Sequence, residues 1–229
     1  MMRKIIGKII DIVLPPEKGE TASKEAPPPP AGVKTVSLEQ LLGGALGEPP
    51  AEPDLRVIGL YSSVEDEKIA ELTQALLYLN EMNRLLPEGK EKKPVEFYIN
   101  TYGGSADDMF AMYDVMQSVM EETEIHTIGV GKVMSAGTLL LAAGTKGKRK
   151  IGKNCRVMIH NVAAGNFGNL PNLANELEAI QTLQEDYIAA MVDNTKFTRK
   201  KLEKLLNEKV NIYLSAEEAV KYGLADEIM

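Results

Sequence analysis

Cysteine, histidine and tryptophan are scarce in this sequence, and each shortage narrows the chemistry. The 229 residues include one cysteine, two histidines and no tryptophan. A lone Cys155 cannot form an internal disulfide framework, which agrees with a reducing cytosol. It lies five residues before His160 in one predicted strand, so the two side chains should face opposite ways. We therefore expect Cys155 to be a buried, inert thiol.

Long apolar runs and basic clusters are also missing. No stretch approaches the ~20 apolar residues that a membrane-spanning helix needs. The net charge is −7, and no block of lysine and arginine is interleaved with aromatic residues. Nucleic-acid binding is therefore not expected. With 44% hydrophobic residues, the chain can form one sizeable core, or one domain with an appendage.

The first 54 residues differ in composition from the rest of the chain. Residues 1–14, MMRKIIGKIIDIVL, place their aliphatic side chains on one helical stripe and predict an amphipathic segment. The Gly7-Lys8 pair interrupts the apolar stretch, and no clear cleavage site follows, which argues against a signal peptide. Residues 15–54 are rich in proline, charge and small residues and predict a flexible linker. The arm either contacts a partner or membrane surface or is a frayed tail.

From residue 55 onward, strand and helix patterns alternate. Short apolar, β-prone runs predict strands, and apolar residues at helical spacing predict the helices between them. This order, with largely apolar strands, is typical of a mostly parallel sheet covered by helices. The predicted strands are 55–61, 94–100, 125–131, 155–160 and 210–214, with a further short strand after the charged turn in GTKGKRKIG; the predicted helices are 64–86, 105–120, 135–144, 170–195, 198–207 and 215–223.

Several helices carry recognisable caps. Ser63 is the expected cap of helix 64–86, while Ser215 and Glu218 form a capping box at the start of the last helix. Gly223 follows that helix as a natural stop.

Two loops at the carboxyl ends of predicted strands carry the candidate chemistry. In open parallel sheets, ligands bind where strands end and helices begin. Strand 94–100 ends in TYGG, and strand 125–131 ends in GKVMSAG. The paired glycines Gly103 and Gly104 can face a ligand without interference from a Cβ atom. Ser135 stands at the start of the following helix, where free N–H groups favour negative charge.

A serine nucleophile needs a base and donors for the oxyanion. The amides of Gly104 and Ala136 are reasonable donors. His126 begins the strand that leads to Ser135, and nine residues of extended chain put it roughly 25–30 Å away, whereas proton transfer needs about 3 Å. His160 ends its own strand and can reach the same edge. Taken singly, however, the serine is explained as a helix cap and the histidine as a hydrogen-bonded core residue.

Four motifs together resemble the ClpP family, the serine peptidase subunits of the ATP-dependent Clp proteases. The resemblance runs in order from about Arg56 to Met229. It implies an α/β fold, the ClpP/crotonase-like spiral of β-β-α units, with helix 170–195 as a protruding handle. The motifs are FYINTYGGSADDMFAMYDVM, GVGKVMSAGTLLLAAGTKGKR, NCRVMIHN and YLSAEEAVKYGLADEI.

The resemblance also implies roles for individual residues and for the assembly. The family's nucleophile falls on Ser135 and its general base on His160. Its oxyanion loop falls on Gly103 and Gly104, with the second oxyanion amide on Ala136. No metal or cofactor is implied. The family forms rings of seven subunits that pair around a chamber in the cytoplasm, works with Clp-type ATPase unfoldases, and cuts unfolded proteins or short peptides.

The third catalytic residue departs from the family pattern. Counting back four residues from Ser215, the position of the family's aspartate falls on Asn211. An asparagine can still orient a histidine, but it supplies no charge. Glu208 is an alternative acid, and Asp186 and Asp193 on the long helix are less favoured because such residues usually form a solvated face.

Further departures indicate a divergent member. Val210 stands where the family often has an arginine used between rings, and Tyr102 stands where it has a proline beside the substrate cleft. The axial-loop segment that meets the unfoldase is not recognisable in residues 1–54. These changes would suit a phage-encoded or plasmid-type relative.

Three interpretations follow. The favoured one is an active serine endopeptidase with residues 55–229 as its peptidase domain. The alternative is a non-catalytic structural subunit of a mixed ring, which the substitutions at Asn211 and Val210 support. A third is a related fold that performs acyl-CoA chemistry or capsid-scaffold proteolysis; acyl-CoA chemistry would need no Ser135–His160 pair.

Overall fold

A computed structural model of the chain describes residues 54–165, 167–208 and 210–229. The expected amphipathic segment 1–14 and the linker up to residue 53 lie outside the described residues. The described elements, in chain order, are β1 (Val57–Leu60), α1 (Asp66–Arg84), β2 (Val95–Thr101), α2 (Ala106–Val119), β3 (Ile125–Met134), α3 (Ala136–Ala142), β4 (Lys150–Ile151), β5 (Arg156–Ile159), α4 (Leu170–Asn194), α5 (Arg199–Glu208), β6 (Ile212–Leu214), α6 (Ala216–Tyr222) and β7 (Glu227–Ile228).

The sheet is mostly parallel, as its apolar strands predict. β1 pairs in parallel with β2, and β2 with β3. β3 also pairs in parallel with β4 through its first half and with β5 through its second half. β4 pairs in parallel with β7, and only the β5–β6 pair among the described strands is antiparallel. Because β2, β3 and β5 run in the same direction, their carboxyl ends meet at one edge of the sheet.

The helices bury the faces that their spacing predicts. In α1 the buried residues include Ile69, Leu72, Leu76 and Leu79, and in α2 they are the three methionines with Val119. All seven residues of α3 are buried. These side chains and the apolar faces of the strands form one core, which fixes the edge where the candidate site lies.

Ser63 does not cap α1, so that prediction is wrong. The N-cap residue is Glu65, in an extended conformation and without a side-chain bond. The cause lies in Val64, whose amide donates to the Gly103 carbonyl at 2.9 Å and whose carbonyl accepts from Ser105 at 2.8 Å. This pairing holds the chain extended past Ser63, so the helix begins later.

Strand boundaries also differ from the predicted ones. β3 extends to Met134 rather than residue 131, because Lys132, Val133 and Met134 pair with β5. The two-residue strand β7 was not expected from the sequence. The capping box of Ser215 and Glu218 is confirmed. Within the described ranges, we find no helix whose length and apolarity would let it span a membrane.

Candidate active site

Ser135 lies in a strained turn between β3 and α3. Its φ is 53° and its ψ is −125°, and it is the only non-glycine residue with positive φ among the described residues. Ser135 occupies the N-cap position of α3, but its side chain makes no capping bond to the helix, so capping does not explain why a serine stands here. Such a conformation costs of order 1–3 kcal/mol and persists where the surroundings impose it. Strained strand-to-helix turns of this kind expose the nucleophile of serine hydrolases.

Backbone bonds hold this turn from both sides. The Ser135 amide donates to the Met158 carbonyl of β5 at 2.8 Å, and the Ser135 carbonyl accepts from the Thr138 amide at 2.9 Å. The first bond continues the parallel β3–β5 ladder, in which Met134 pairs with Met158. The serine is therefore tied to the strand that delivers the histidine.

His160 follows the end of β5 and reaches the serine. Its Nε2 lies 2.8 Å from Ser135 Oγ. Both residues are partly buried. When Nδ1 carries the ring proton, Nε2 accepts the serine hydroxyl proton, which is the geometry of a general base and its nucleophile. The structure thus brings together the two residues that the sequence analysis paired.

Gly103 leaves the space that the serine occupies. A Cβ at this position would lie 2.5 Å from Ser135 Cβ, and its φ of 100° is one that side chains rarely adopt. A Cβ at Gly104 would lie 2.1 Å from the Val64 carbonyl oxygen. Both glycines are therefore required by close packing, independently of any role in binding.

Two of the three expected oxyanion amides are free to donate. The Gly103 amide donates to Thr101 Oγ1 at 3.0 Å. The Gly104 amide has no acceptor among the described residues, and the same holds for Ala136 at the first position of α3. Ala136 follows Ser135 in sequence, and Gly104 lines the same cavity as Ser135. An oxyanion formed beside Ser135 therefore has two candidate donors.

Asn211 directly precedes β6 and His160 directly follows β5, and no bond joins their side chains. The antiparallel β5–β6 ladder ends at the Ile159–Ile212 pair, and one further step in the same register would set His160 against Asn211. The Asn211 side chain is exposed, and none of the described residues accepts or donates a hydrogen bond to it.

The other candidate acids are engaged or placed elsewhere. Glu208 pairs with Lys204 at 3.7 Å on the exposed side of α5. Asp186 lines the cavity beside the serine but makes no bond to His160. Asp193 lies near the end of α4, where its backbone carbonyl accepts from Lys146.

Asn207, near the end of α5, is a further amide that the sequence analysis did not consider. The Asn161 amide nitrogen donates to the Leu206 carbonyl at 3.1 Å, which brings the end of α5 to the residue that follows His160. Asn207 directly follows Leu206 and is exposed. No local pattern could have found it, because its position depends on this tertiary contact.

A cavity of about 680 Å³ opens onto the pair. Ser135, His160, Gly104 and Ala136 line it, together with side chains of α2 and α4. Tyr102 is exposed, with Lys132 Nζ 4.4 Å from its ring centroid, and it is not part of the lining. The cavity is of a size that accommodates several residues of an extended peptide or a small ligand.

His126 and Cys155 are not suited to act as the base or the nucleophile of the candidate site. His126 lies at the start of β3 and its Nε2 is 2.8 Å from the Glu124 carboxylate, a bond that lowers the pKa of Glu124. Cys155 is buried, and burial raises the pKa of its thiol to about 11. A protonated thiol is a poor nucleophile, so the inert role expected for Cys155 agrees with its surroundings.

A strained serine bonded to a histidine at the edge of a parallel sheet is an arrangement typical of serine hydrolases. Comparison with known proteins identifies a family within this class of hydrolases. A family model described as Clp protease matches residues 53–229. The ATP-dependent Clp protease proteolytic subunit of Deinococcus radiodurans is 34% identical over 174 residues, which cover 76% of this chain and 80% of that protein.

The chain therefore belongs to the Clp protease family. The resemblance read from the four motifs is confirmed. The mixed α/β fold, with its parallel sheet and the six helices of the described residues, is consistent with that of ClpP. The family is one of peptidases, which places the chain among proteolytic subunits of this type.

Proposed function

We propose that this chain is a serine endopeptidase subunit of a ClpP-like ring protease that cleaves unfolded polypeptides or short peptides. The observation that carries the proposal is the 2.8 Å contact between Ser135 Oγ and His160 Nε2 at the mouth of a cavity. The substrate class follows from the family and from the cavity, which is open to an extended chain.

The proposed mechanism uses this chain's own groups. Ser135 Oγ attacks the peptide carbonyl carbon while His160 Nε2 takes the hydroxyl proton. The Gly104 and Ala136 amides stabilise the oxyanion that forms. Collapse of this intermediate breaks the C–N bond, and the imidazolium gives its proton to the departing amine. Water then attacks the acyl-enzyme with His160 as base, which restores the serine.

We assign the orientation of His160 to Asn211. Continued one step past its last pair, the β5–β6 register would set the two residues opposite each other, and an amide can hold an imidazole in one tautomer. Asn207 is the alternative, because it follows Leu206, whose carbonyl accepts a bond from Asn161, the residue next to His160 in sequence. Neither amide adds negative charge, so the imidazolium is less stabilised than in a site with an aspartate.

The proposal extends to assembly and partners. Family membership supports self-association into a seven-membered ring that pairs with a second ring, action with a Clp-type ATPase, and a cytoplasmic location. Exposed apolar side chains on α4 and at Val210 offer surface for contacts between copies. Within the chain, residues 55–229 form the peptidase domain, preceded by the segment 1–14 and the linker 15–54.

A second candidate function is a structural subunit that fills a mixed ring without cutting peptides. The observation in its favour is that no carboxylate of the described residues bonds His160. The retained pair of Ser135 and His160, with two free amides beside it, favours the catalytic proposal because a passive subunit needs none of these groups.

Hydrolysis of an unfolded protein and of fluorogenic peptides tests the proposal. We expect activity in the assembled wild type, abolished in Ser135→Ala and in His160→Ala, and retained in His126→Ala, which removes the other histidine. An assembled wild type that cuts neither substrate, alone or with an ATPase partner, would instead support the structural subunit.

A further inference from the structure

A buried hydrogen-bond chain connects α4 to the nucleophile turn. Thr138 Oγ1 lies 2.6 Å from the Ser135 carbonyl oxygen and 3.0 Å from the hydroxyl of Tyr187. Tyr187 is 4% exposed, and Thr138 is fully buried. The two side chains are 49 residues apart in sequence. They face each other directly beneath the strained residue that carries the candidate nucleophile.

The direction of the bonds is fixed by what each atom can donate. A carbonyl oxygen only accepts, so the Thr138 hydroxyl donates its single proton to Ser135. The Tyr187 hydroxyl must then donate to Thr138 Oγ1. Burial raises the pKa of Tyr187 to about 12, so the phenol keeps its proton across the physiological range. The chain therefore runs one way, from Tyr187 through Thr138 to Ser135.

The accepting carbonyl belongs to the same peptide unit as the Ala136 amide. Because a peptide unit is planar and trans, the direction of its C=O fixes the opposite direction of its N–H. The Thr138 amide and hydroxyl both donate to the Ser135 carbonyl, at 2.9 Å and 2.6 Å. Their two bonds hold the plane of this peptide unit and, with it, the direction of the N–H of Ala136, a residue that lines the cavity.

Tyr187 stands where α4 meets the core. It is the first buried residue of the helix, and the residues before it are largely exposed. Tyr187 also lines the cavity that holds Ser135 and His160. The Tyr187 side chain thus connects the point where α4 becomes buried to the turn that carries Ser135.

We propose that Thr138 and Tyr187 are positioning residues, a hydrogen-bond relay that aims the Ala136 N–H at the oxyanion. The inference rests on the proposed peptidase function, because an oxyanion forms only if Ser135 attacks a carbonyl. Oxyanion bonds strengthen in the transition state, so a misaligned donor lowers kcat and leaves KM almost unchanged.

Matched substitutions isolate the two hydroxyl groups. Tyr187→Phe keeps the ring and removes one hydroxyl, Thr138→Val keeps the shape and removes the other, and Thr138→Ser restores it. The control is Tyr113→Phe, which removes a hydroxyl that accepts a bond from Asn194, also on α4, at 3.0 Å. Each variant is compared in assembled form by its melting temperature and by kcat and KM on one fluorogenic peptide.

We expect kcat to fall about 10-fold in Tyr187→Phe and further in Thr138→Val, with KM within about twofold of wild type, and Thr138→Ser to recover most of the loss. The double variant of Tyr187→Phe with Thr138→Val should be no slower than Thr138→Val alone, because the relay acts as one unit. Tyr113→Phe should match wild type. Tyr187→Phe carries the test by itself if Thr138→Val is unstable.

Two results would overturn the relay. An active wild type whose kcat is unchanged in Tyr187→Phe would remove the relay and leave the peptidase proposal standing. An assembled wild type with no activity would overturn both proposals together.

Discussion

Asn211 is the residue at which the candidate site departs most from an acid-assisted pair. The β5–β6 register, continued one step past its last pair, would set it against His160, but it contributes an amide rather than a carboxylate. A carboxylate at the orienting position would stabilise the imidazolium that forms as the serine attacks. Asn207, near the end of α5, also carries an amide, so the effect of an added carboxylate can be compared at the two positions.

We predict that Asn211→Asp raises kcat by several-fold, because it adds a negative charge beside the imidazolium. Asn207→Asp, which adds the same charge at the end of α5, should change kcat by less than twofold. Steady-state hydrolysis of a fluorogenic peptide measures both. The opposite ranking would assign the orienting role to Asn207.

Gly103 offers a steric test at the same scale. We predict that Gly103→Ala lowers the rate of peptide hydrolysis by about 100-fold, since the new Cβ would displace Ser135 and such shifts have effects of this size. Gly89→Ala is the control, with a φ of 81° but no atom within 4 Å of the new Cβ. It should lose some stability and no activity. Equal rates in both variants would show that Gly103 does not set the position of the serine.

The positions of the carboxyl ends of the predicted strands were sufficient to pair Ser135 with His160 from the sequence. Parallel strands bring their carboxyl ends together, so a serine and a histidine at two such ends are neighbours. The strained φ of Ser135 was not predictable, because it is imposed by Gly103 and by β5 rather than by local sequence. Tyr187 was missed for the same reason, since tertiary contacts alone bring it to the site.

At the scale of elements, α4 carries an apolar stripe that no described residue covers. Leu170, Leu173 and Leu177 follow helical spacing and are 79%, 38% and 57% exposed. The same helix becomes buried from Tyr187 onward. Exposed apolar stripes on otherwise polar helices mark surfaces for association.

We predict that the double substitution Leu173→Ser and Leu177→Ser reduces assembly of the full chain without lowering its melting temperature as a monomer. Sedimentation velocity over a range of concentrations gives the assembly state. Leu85→Ser, at an exposed leucine after α1, is the control and should assemble as wild type does. Unchanged assembly of the double variant would place the interface elsewhere.

The elements with a strong apolar period were predicted well. α1 and α2 bury the leucines and methionines that their spacing indicates, because burial of one face determines such helices. Ser63 failed as a cap because pairing between Val64 and the glycine loop outweighs the cap preference. β7 has only two residues and owes its strand geometry to pairing with β4, which no local pattern encodes.

At the scale of the whole molecule, Arg149 joins four parts of the chain. Its buried guanidinium donates to both carboxylate oxygens of Asp226 and to the carbonyls of Ala142 and Asn194. The ends of α3 and α4 and the turn before β7 thus meet at one cation. Arg149 lowers the pKa of Asp226 to about 2.

The lowered pKa of Asp226 predicts the direction in which stability changes with pH. The contribution of Asp226 is present above the ordinary carboxyl pKa and is lost as pH falls from about 4 towards about 2. We predict that Asp226→Asn lowers the free energy of unfolding by about 2–3 kcal/mol at pH 7. The gap from wild type should narrow across that acidic window.

Thermal melts at a series of pH values measure this gap. Glu81→Gln, which breaks an exposed pair with Arg84, is the control and should stay within about 0.5 kcal/mol of wild type. A gap between wild type and Asp226→Asn that does not change between pH 4 and pH 2 would contradict the linkage.

The central claim is that Ser135 is a nucleophile activated by His160. Labelling of the assembled protein with a fluorophosphonate probe, read by intact mass, tests this claim most directly. The account predicts one adduct per chain in wild type and in His126→Ala, none in Ser135→Ala, and much slower labelling in His160→Ala. An unlabelled wild type, or an adduct that persists in Ser135→Ala, would contradict it.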